Sequence, residues 1–179
     1  MHGRHVQDGE GQPEKSRQSV RDMARPFRVR RSAIHGNGVF ATEDIPAGTE
    51  LIEYKGKLIT RKEADELYDE MYSGHTFLME LTPDWIIDAN QQGNDARWIN
   101  HSCEPNCIPY QHEHPTDFLK TKVIIESIRD IRKGEELTYD YGISFDVPYT
   151  EELKKIWACH CGAPSCTGTM LKPYEPERE

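Results

Sequence analysis

Apolar residues along this chain recur mostly with a period of two. Phe27 and Val29 alternate with arginines, which predicts a strand opening an ordered domain near Arg25, ahead of a tight turn at Gly36-Asn37-Gly38. The octet Asp44 to Leu51 is echoed in outline by Asp130 to Leu137. Each copy carries a glycine turn into an apolar segment, Leu51 to Tyr54 and Leu137 to Tyr141. Phe77 to Leu81, Trp85 to Asp88 and Lys122 to Ile128 read as further short strands. Only two stretches carry helical signals. Thr60 and Glu63 form a Thr-x-x-Glu capping box, after which Ala64, Leu67, Tyr68, Met71 and Tyr72 fall on one face and are expected to pack into the core; Pro148 to Trp157 reads as a second short helix. Many short strands and few helices predict an α+β domain that is mostly β.

The remaining stretches set boundaries. Residues 1–24 are polar throughout and are expected to form a flexible tail. The Pro- and Glu-rich end, 173–179, is expected to fray. At 179 residues the chain suits one domain with tails. It carries no apolar run near the roughly 20 residues of a membrane helix and no secretory leader, so a soluble, intracellular monomer is expected. That expectation fits cytoplasm, nucleus or delivery as a secreted bacterial effector.

The net charge of −9 hides a split: residues 1–31 hold eight Lys or Arg against four Asp or Glu, leaving 14 against 27 for the rest. An acidic body repels phosphate backbones and attracts a cationic peptide, so a basic protein substrate fits better than nucleic acid, which only the basic N-terminal tail would touch.

Five cysteines in a chain without an export signal point to metal ligation or buried thiols. Cys159-x-Cys161-x4-Cys166 supplies three thiolates within eight residues, and a closed zinc site needs a fourth ligand. Cys103 and Cys107, in the run Asn100 to Cys107, are candidates; His160, flanked by two ligands, is a weaker one.

These residues resemble one family, the SET-domain protein lysine methyltransferases followed by a post-SET zinc segment. The similarity runs from about Phe27 to Leu171 and keeps the family's order: Gly36-Asn37-Gly38, Tyr54-Lys55-Gly56, Gly93 to Cys107, Glu136 to Gly142 and the three-cysteine end. It implies a SET domain over 25–157, a post-SET segment over 158–172, and a fold of small curved sheets in which the Asn-His and Asp-Tyr segments cross as a pseudoknot. It further implies that S-adenosylmethionine contacts Gly36, Asn37, Gly38, Arg97, Asn100, His101, Tyr141 and Met170. Zinc would be held by Cys103, Cys159, Cys161 and Cys166, with Cys107 left spare.

The reaction implied is in-line methyl transfer to a lysine amine on histone tails or another basic protein. Tyr141 would line the channel as the catalytic residue. Tyr139 stands where the family carries Phe or Tyr and favours mono- or dimethylation. The chain departs from the family at Phe77, where a channel tyrosine commonly stands, and at Trp98, where Phe is usual; it has no cysteine-rich segment before Phe27. Two other function classes fit parts of the sequence, a catalytically silent SET module that binds a peptide and a small zinc-bearing DNA-binding module.

Overall fold

The structure, a computed structural model, describes residues 25–174. The expected tail at 1–24 and the last five residues of the expected frayed end lie outside it. In chain order the elements are β1 Phe27–Arg31, β2 Asn37–Ala41, β3 Glu50–Glu53, β4 Lys57–Thr60, α1 Arg61–Leu67, α2 Glu70–Ser73, β5 Leu78–Thr82, β6 Trp85–Asp88, β7 Asn100–His101, β8 Cys107–His112, β9 Lys122–Ser127, β10 Glu136–Tyr139 and α3 Glu151–Ile156. A 3-10 turn, Asp95–Trp98, precedes β7.

The strands form three small sheets, ordered β1-β2-β10-β7, β3-β9-β8 and β4-β6-β5. Their inner faces enclose one main core in which Val39, Ile99, Ile125 and Leu137 are wholly buried. Among the named strands every pairing but one is antiparallel, and that one decides the site. β7 runs parallel to β10, with Asn100 opposite Thr138 and His101 opposite Tyr139. The Asn-His and Asp-Tyr segments thus lie side by side, as the crossing in a SET pseudoknot requires.

Buried Asn106 locks that pairing. Its Nδ2 donates to the Glu136 carbonyl at 2.8 Å and its Oδ1 accepts from the Thr138 N–H at 2.8 Å. A short parallel pair exposes many backbone groups to desolvation, and a side-chain amide that supplies both a donor and an acceptor removes two of those penalties.

The two similar octets also meet. Ile45 and Ile131 exchange backbone hydrogen bonds at 2.7 and 2.8 Å, while Asp44 Oδ1 accepts from the Lys133 N–H and Asp130 Oδ1 from the Ala47 N–H. Each aspartate caps the other copy's turn, and both isoleucines are buried in the core.

The capping box at Thr60 is present, with the Glu63 N–H donating to Thr60 Oγ1 and the Thr60 N–H to Glu63 Oε2. The helix it starts departs from expectation. Tyr68 is extended (φ −130°, ψ 132°), which splits the expected continuous helix into α1 and α2. The cause is tertiary. Tyr68 packs on Ile59, Ala64 and Ile86, and its hydroxyl donates to Asp88 on β6 at 2.8 Å. Leu67 and Tyr72, expected in the core, are 58% and 62% exposed. Met71 instead joins a separate small cluster around Leu153, Trp157 and Leu171, tied by the Trp157 indole N–H to the Met71 carbonyl at 2.8 Å.

A cavity between β7 and a four-cysteine segment

Asn100 organises the first wall. Its buried amide Nδ2 lies within hydrogen-bond distance of the His35 carbonyl (3.2 Å), the Asn37 carbonyl (2.9 Å) and Glu136 Oε1 (2.8 Å). One side chain therefore ties the Gly36 turn to β10. Gly36 itself has φ +46°, a conformation that glycine adopts without strain. Gly38 serves differently: a Cβ there would collide with the Glu136 carboxylate, so its bareness makes room for the group that receives Asn100.

His101 follows on β7 and is buried. The Tyr141 N–H donates to its Nδ1 at 3.1 Å, which places the proton of the neutral ring on Nε2, 3.7 Å from Cys103 Sγ. Burial pushes the imidazole below its ordinary value, against the nearby Asp140 charge. The 3.7 Å approach of Asp140 to Nδ1 is therefore no ion pair; that carboxylate is taken by Lys172 and the Gly142 N–H.

Tyr141 packs between His101, edge to face, and a tilted Tyr139, with ring centroids 5.5 and 4.9 Å away, and its hydroxyl donates to the Ile99 carbonyl at 2.8 Å. Burial, with the Glu136 charge adding to it, pushes this phenol well above its usual range. Burial does the same to Tyr139 and Tyr54. All three stay protonated at neutral pH, and none is a base there.

The second wall is the C-terminal loop. Sγ of Cys103, Cys159, Cys161 and Cys166 all lie within 4.8 Å of one another, and Cys103 and Cys159 are 3.8 Å apart. Four sulfurs at about 2.3 Å from a tetrahedral zinc would sit about 3.8 Å from each other, so the donor set fits that metal in kind, number and spacing. Burial raises the Cys161 thiol, but backbone N–H groups of Cys103 and Ala163 and the neighbouring thiols outweigh it and bring it down to about 6. Cys107 stands apart, buried on β8, its thiol pushed up to about 12 by burial. His160 is exposed and outside the sulfur cluster.

Between the two walls lies a cavity of about 520 Å3. It brings together Gly36, Asn37, Arg97, Asn100, His101, Tyr141 and Met170. Gly38 and Tyr139 stand behind it, Gly38 under Glu136 and Tyr139 under the Tyr141 ring. Arg97 is half-buried, with its guanidinium 4.6 Å from the Trp98 ring centroid and Nη1 on the Ala89 carbonyl. Its Nε is buried with no partner. A cationic donor without an acceptor in a cavity lined by Phe77 and Trp98 fits a ligand that carries both a carboxylate and a flat ring, as an amino-acid nucleoside does.

The stretch His75-Thr76-Phe77 also lines the cavity; Phe77 was expected at a channel position, whereas nothing in the sequence signals His75 and Thr76, which follow α2 and its C-terminal glycine. A smaller cavity of about 170 Å3 opens from another side, and Tyr141 and Thr76 line both.

Comparison with known proteins agrees. The SET domain family model matches residues 36–142. "Histone-lysine N-methyltransferase, H3 lysine-4 specific" of Schizosaccharomyces pombe is 43% identical over 142 residues, covering 78% of this chain and 14% of that protein. Trithorax of Drosophila virilis is 42% identical over 77% of this chain and 3% of its own length, and set1 of Dictyostelium discoideum 40% over 85% and 10%. The chain therefore spans a small part of these relatives. With the pseudoknot strands paired, the cavity beside them and the family model covering more than half of its residues, this chain belongs to the SET domain family.

Proposed function

We propose that this protein is an S-adenosylmethionine-dependent protein-lysine N-methyltransferase acting on histone tails or another basic protein, with mono- or dimethylation favoured. Its SET domain spans 25–157 and its post-SET zinc segment 158–172. The observation that carries this reading is the position of Tyr141, which lines both the larger cavity and the smaller one, so a nucleoside in one and a lysine side chain in the other would meet at its ring. The relatives are named as histone-lysine methyltransferases, and the acidic body suits a cationic partner.

S-adenosylmethionine, when bound, supplies an electrophilic methyl group. Arg97, which lines the cavity, would hold its carboxylate, and the backbone around Gly36 and Asn37 together with Met170 would hold the nucleoside. Tyr141 orients. Because its proton is committed to the Ile99 carbonyl, the phenol oxygen can only accept, and it aligns an amine N–H or a polarised methyl in the passage. The substrate lysine, with a reference pKa of about 10.4, must lose its proton to solvent water before it is enclosed. The buried phenols around the passage favour the neutral amine and exclude water, and they supply no base of their own. Most of the acceleration then comes from alignment. Tyr139, behind Tyr141, would act on the room for a methylated amine through the placement of that ring.

Incubating the zinc-loaded chain with methyl-tritiated S-adenosylmethionine and mixed core histones tests the reading. Label on a histone lysine is expected, and Tyr141→Phe should lower kcat about 100-fold, the scale of a lost alignment. Absence of transfer by the unaltered chain would overturn it.

A further inference from the structure

A second depression, of about 690 Å3, runs between α1 and residues 144–147. Its lining combines two features. Leu67 and Val147, two apolar side chains, face water within it at 58% and 37% exposure. Three exposed carboxylates, Asp65, Asp69 and Asp146, line the same depression, and none has a cationic partner among the described residues. The positive charge beside them is already used, since Arg61 pairs with Glu80 and Lys62 with Glu66.

The depression is continuous with the smaller cavity that Tyr141 lines; Arg61, Ser144 and Phe145 belong to both. An apolar floor edged by unpaired carboxylates matches a long cationic side chain, whose methylene stem lies on hydrocarbon while its head meets the charge. The acidic excess of the body adds attraction for the same kind of peptide.

We propose that this groove, through Asp65, Asp69 and Asp146 over Leu67 and Val147, selects substrates carrying an arginine or lysine a few residues from the methylated lysine. The inference rests on the methyl-transfer reading. An extended peptide advances about 3.3 Å per residue, so one whose target lysine occupies the Tyr141 passage lays its near neighbours along this groove. The carboxylates act on substrate choice and not on the chemical step, and their effect is screened by salt.

The test uses the full zinc-loaded chain and synthetic peptides with one lysine, in which each of the four positions on either side carries in turn Arg, Gln or Glu. At one position or more, Arg in place of Gln is expected to lower KM about tenfold, the sum of a few exposed ion pairs. In the triple variant Asp65→Asn, Asp69→Asn, Asp146→Asn that ratio should fall to near one, and in Asp69→Lys, Asp146→Lys it should turn in favour of Glu. A flat profile for the unaltered chain, or a preference that survives both variants, would overturn the proposal. Fluorescence anisotropy of the same peptides separates the two readings. Selective binding of Arg-bearing peptides without methyl transfer keeps the groove and sinks the enzyme; methyl transfer without selectivity keeps the enzyme and sinks the groove.

Discussion

The two walls of the central cavity rest on different physics. The wall bearing Asn100, His101 and Tyr141 is part of the main core, locked by Asn106 and by the Asn100 amide. The wall bearing Ala158, Cys159 and Met170 lies outside that core. Its regular pairing is limited to isolated bridges, Ala158 with Thr169 and Ile143 with Leu171, beside a small cluster centred on Trp157. Glu104 accepts two hydrogen bonds from Ser165, and a metal on the four sulfurs would hold the rest. A site assembled this way keeps half of its geometry without metal and gains the other half with it.

Chelation should break that symmetry most visibly. Structural zinc contributes on the order of 10 kcal/mol at neutral pH in small domains. Removing it should abolish amide-exchange protection across 158–172 while β2, β7 and β10 stay protected. Equal loss in both walls would end the distinction. Asn100→Ala probes the other wall, removing the amide shared by two carbonyls and the Glu136 carboxylate, which keeps only the Ser32 hydroxyl, at a cost of about 3 kcal/mol in urea unfolding. Zinc content should be unchanged.

Asp88 sharpens the picture of the metal-independent part. Burial would raise this carboxyl, but bonds from the Tyr68 hydroxyl, the Asn90 N–H and side-chain amide and the Gln91 amide outweigh it and hold it below the usual range. Its folded pKa lies under its unfolded value of about 3.9, so its stabilisation is intact above that pH and is lost as pH falls through the folded value. Asp88→Asn should cost about 2 kcal/mol at pH 7 and flatten the acid limb of the stability curve, measured as urea midpoint against pH. The smallest effect is expected of Tyr139→Phe. Stability should change by under about 1 kcal/mol, while mass spectrometry of exhaustively methylated product shifts toward trimethyl-lysine.

How far these features could be read from the chain depended on how local their causes are. The capping box at Thr60 is written in two residues and formed as read. The end of that helix was hidden, because Tyr68 leaves the spiral for a carboxylate 20 residues on. β8 was hidden too: Pro109 argues against a strand interior, yet β8 lies at the edge of its sheet and pairs only with β9. The octet repeat was visible, but its mutual capping was not, since nothing in either copy says that it meets the other.

The cysteine cluster was legible because few chemistries use thiols at such spacing. Choosing Cys103 over Cys107 needed the family resemblance, and the fold supplies a physical reason: Cys103 lies within reach of the other three sulfurs, whereas Cys107 points into the core. Gly38 and Tyr139 carried a motif but sit one layer behind the cavity, a distinction that depends on which neighbour each packs against.

Calorimetric titration of S-adenosylmethionine into zinc-loaded and metal-stripped chain tests most directly whether both walls are needed for the donor. One molecule should bind per zinc-loaded chain, with affinity at least tenfold weaker after stripping. No binding heat with zinc present, or the same affinity in both forms, would contradict the account.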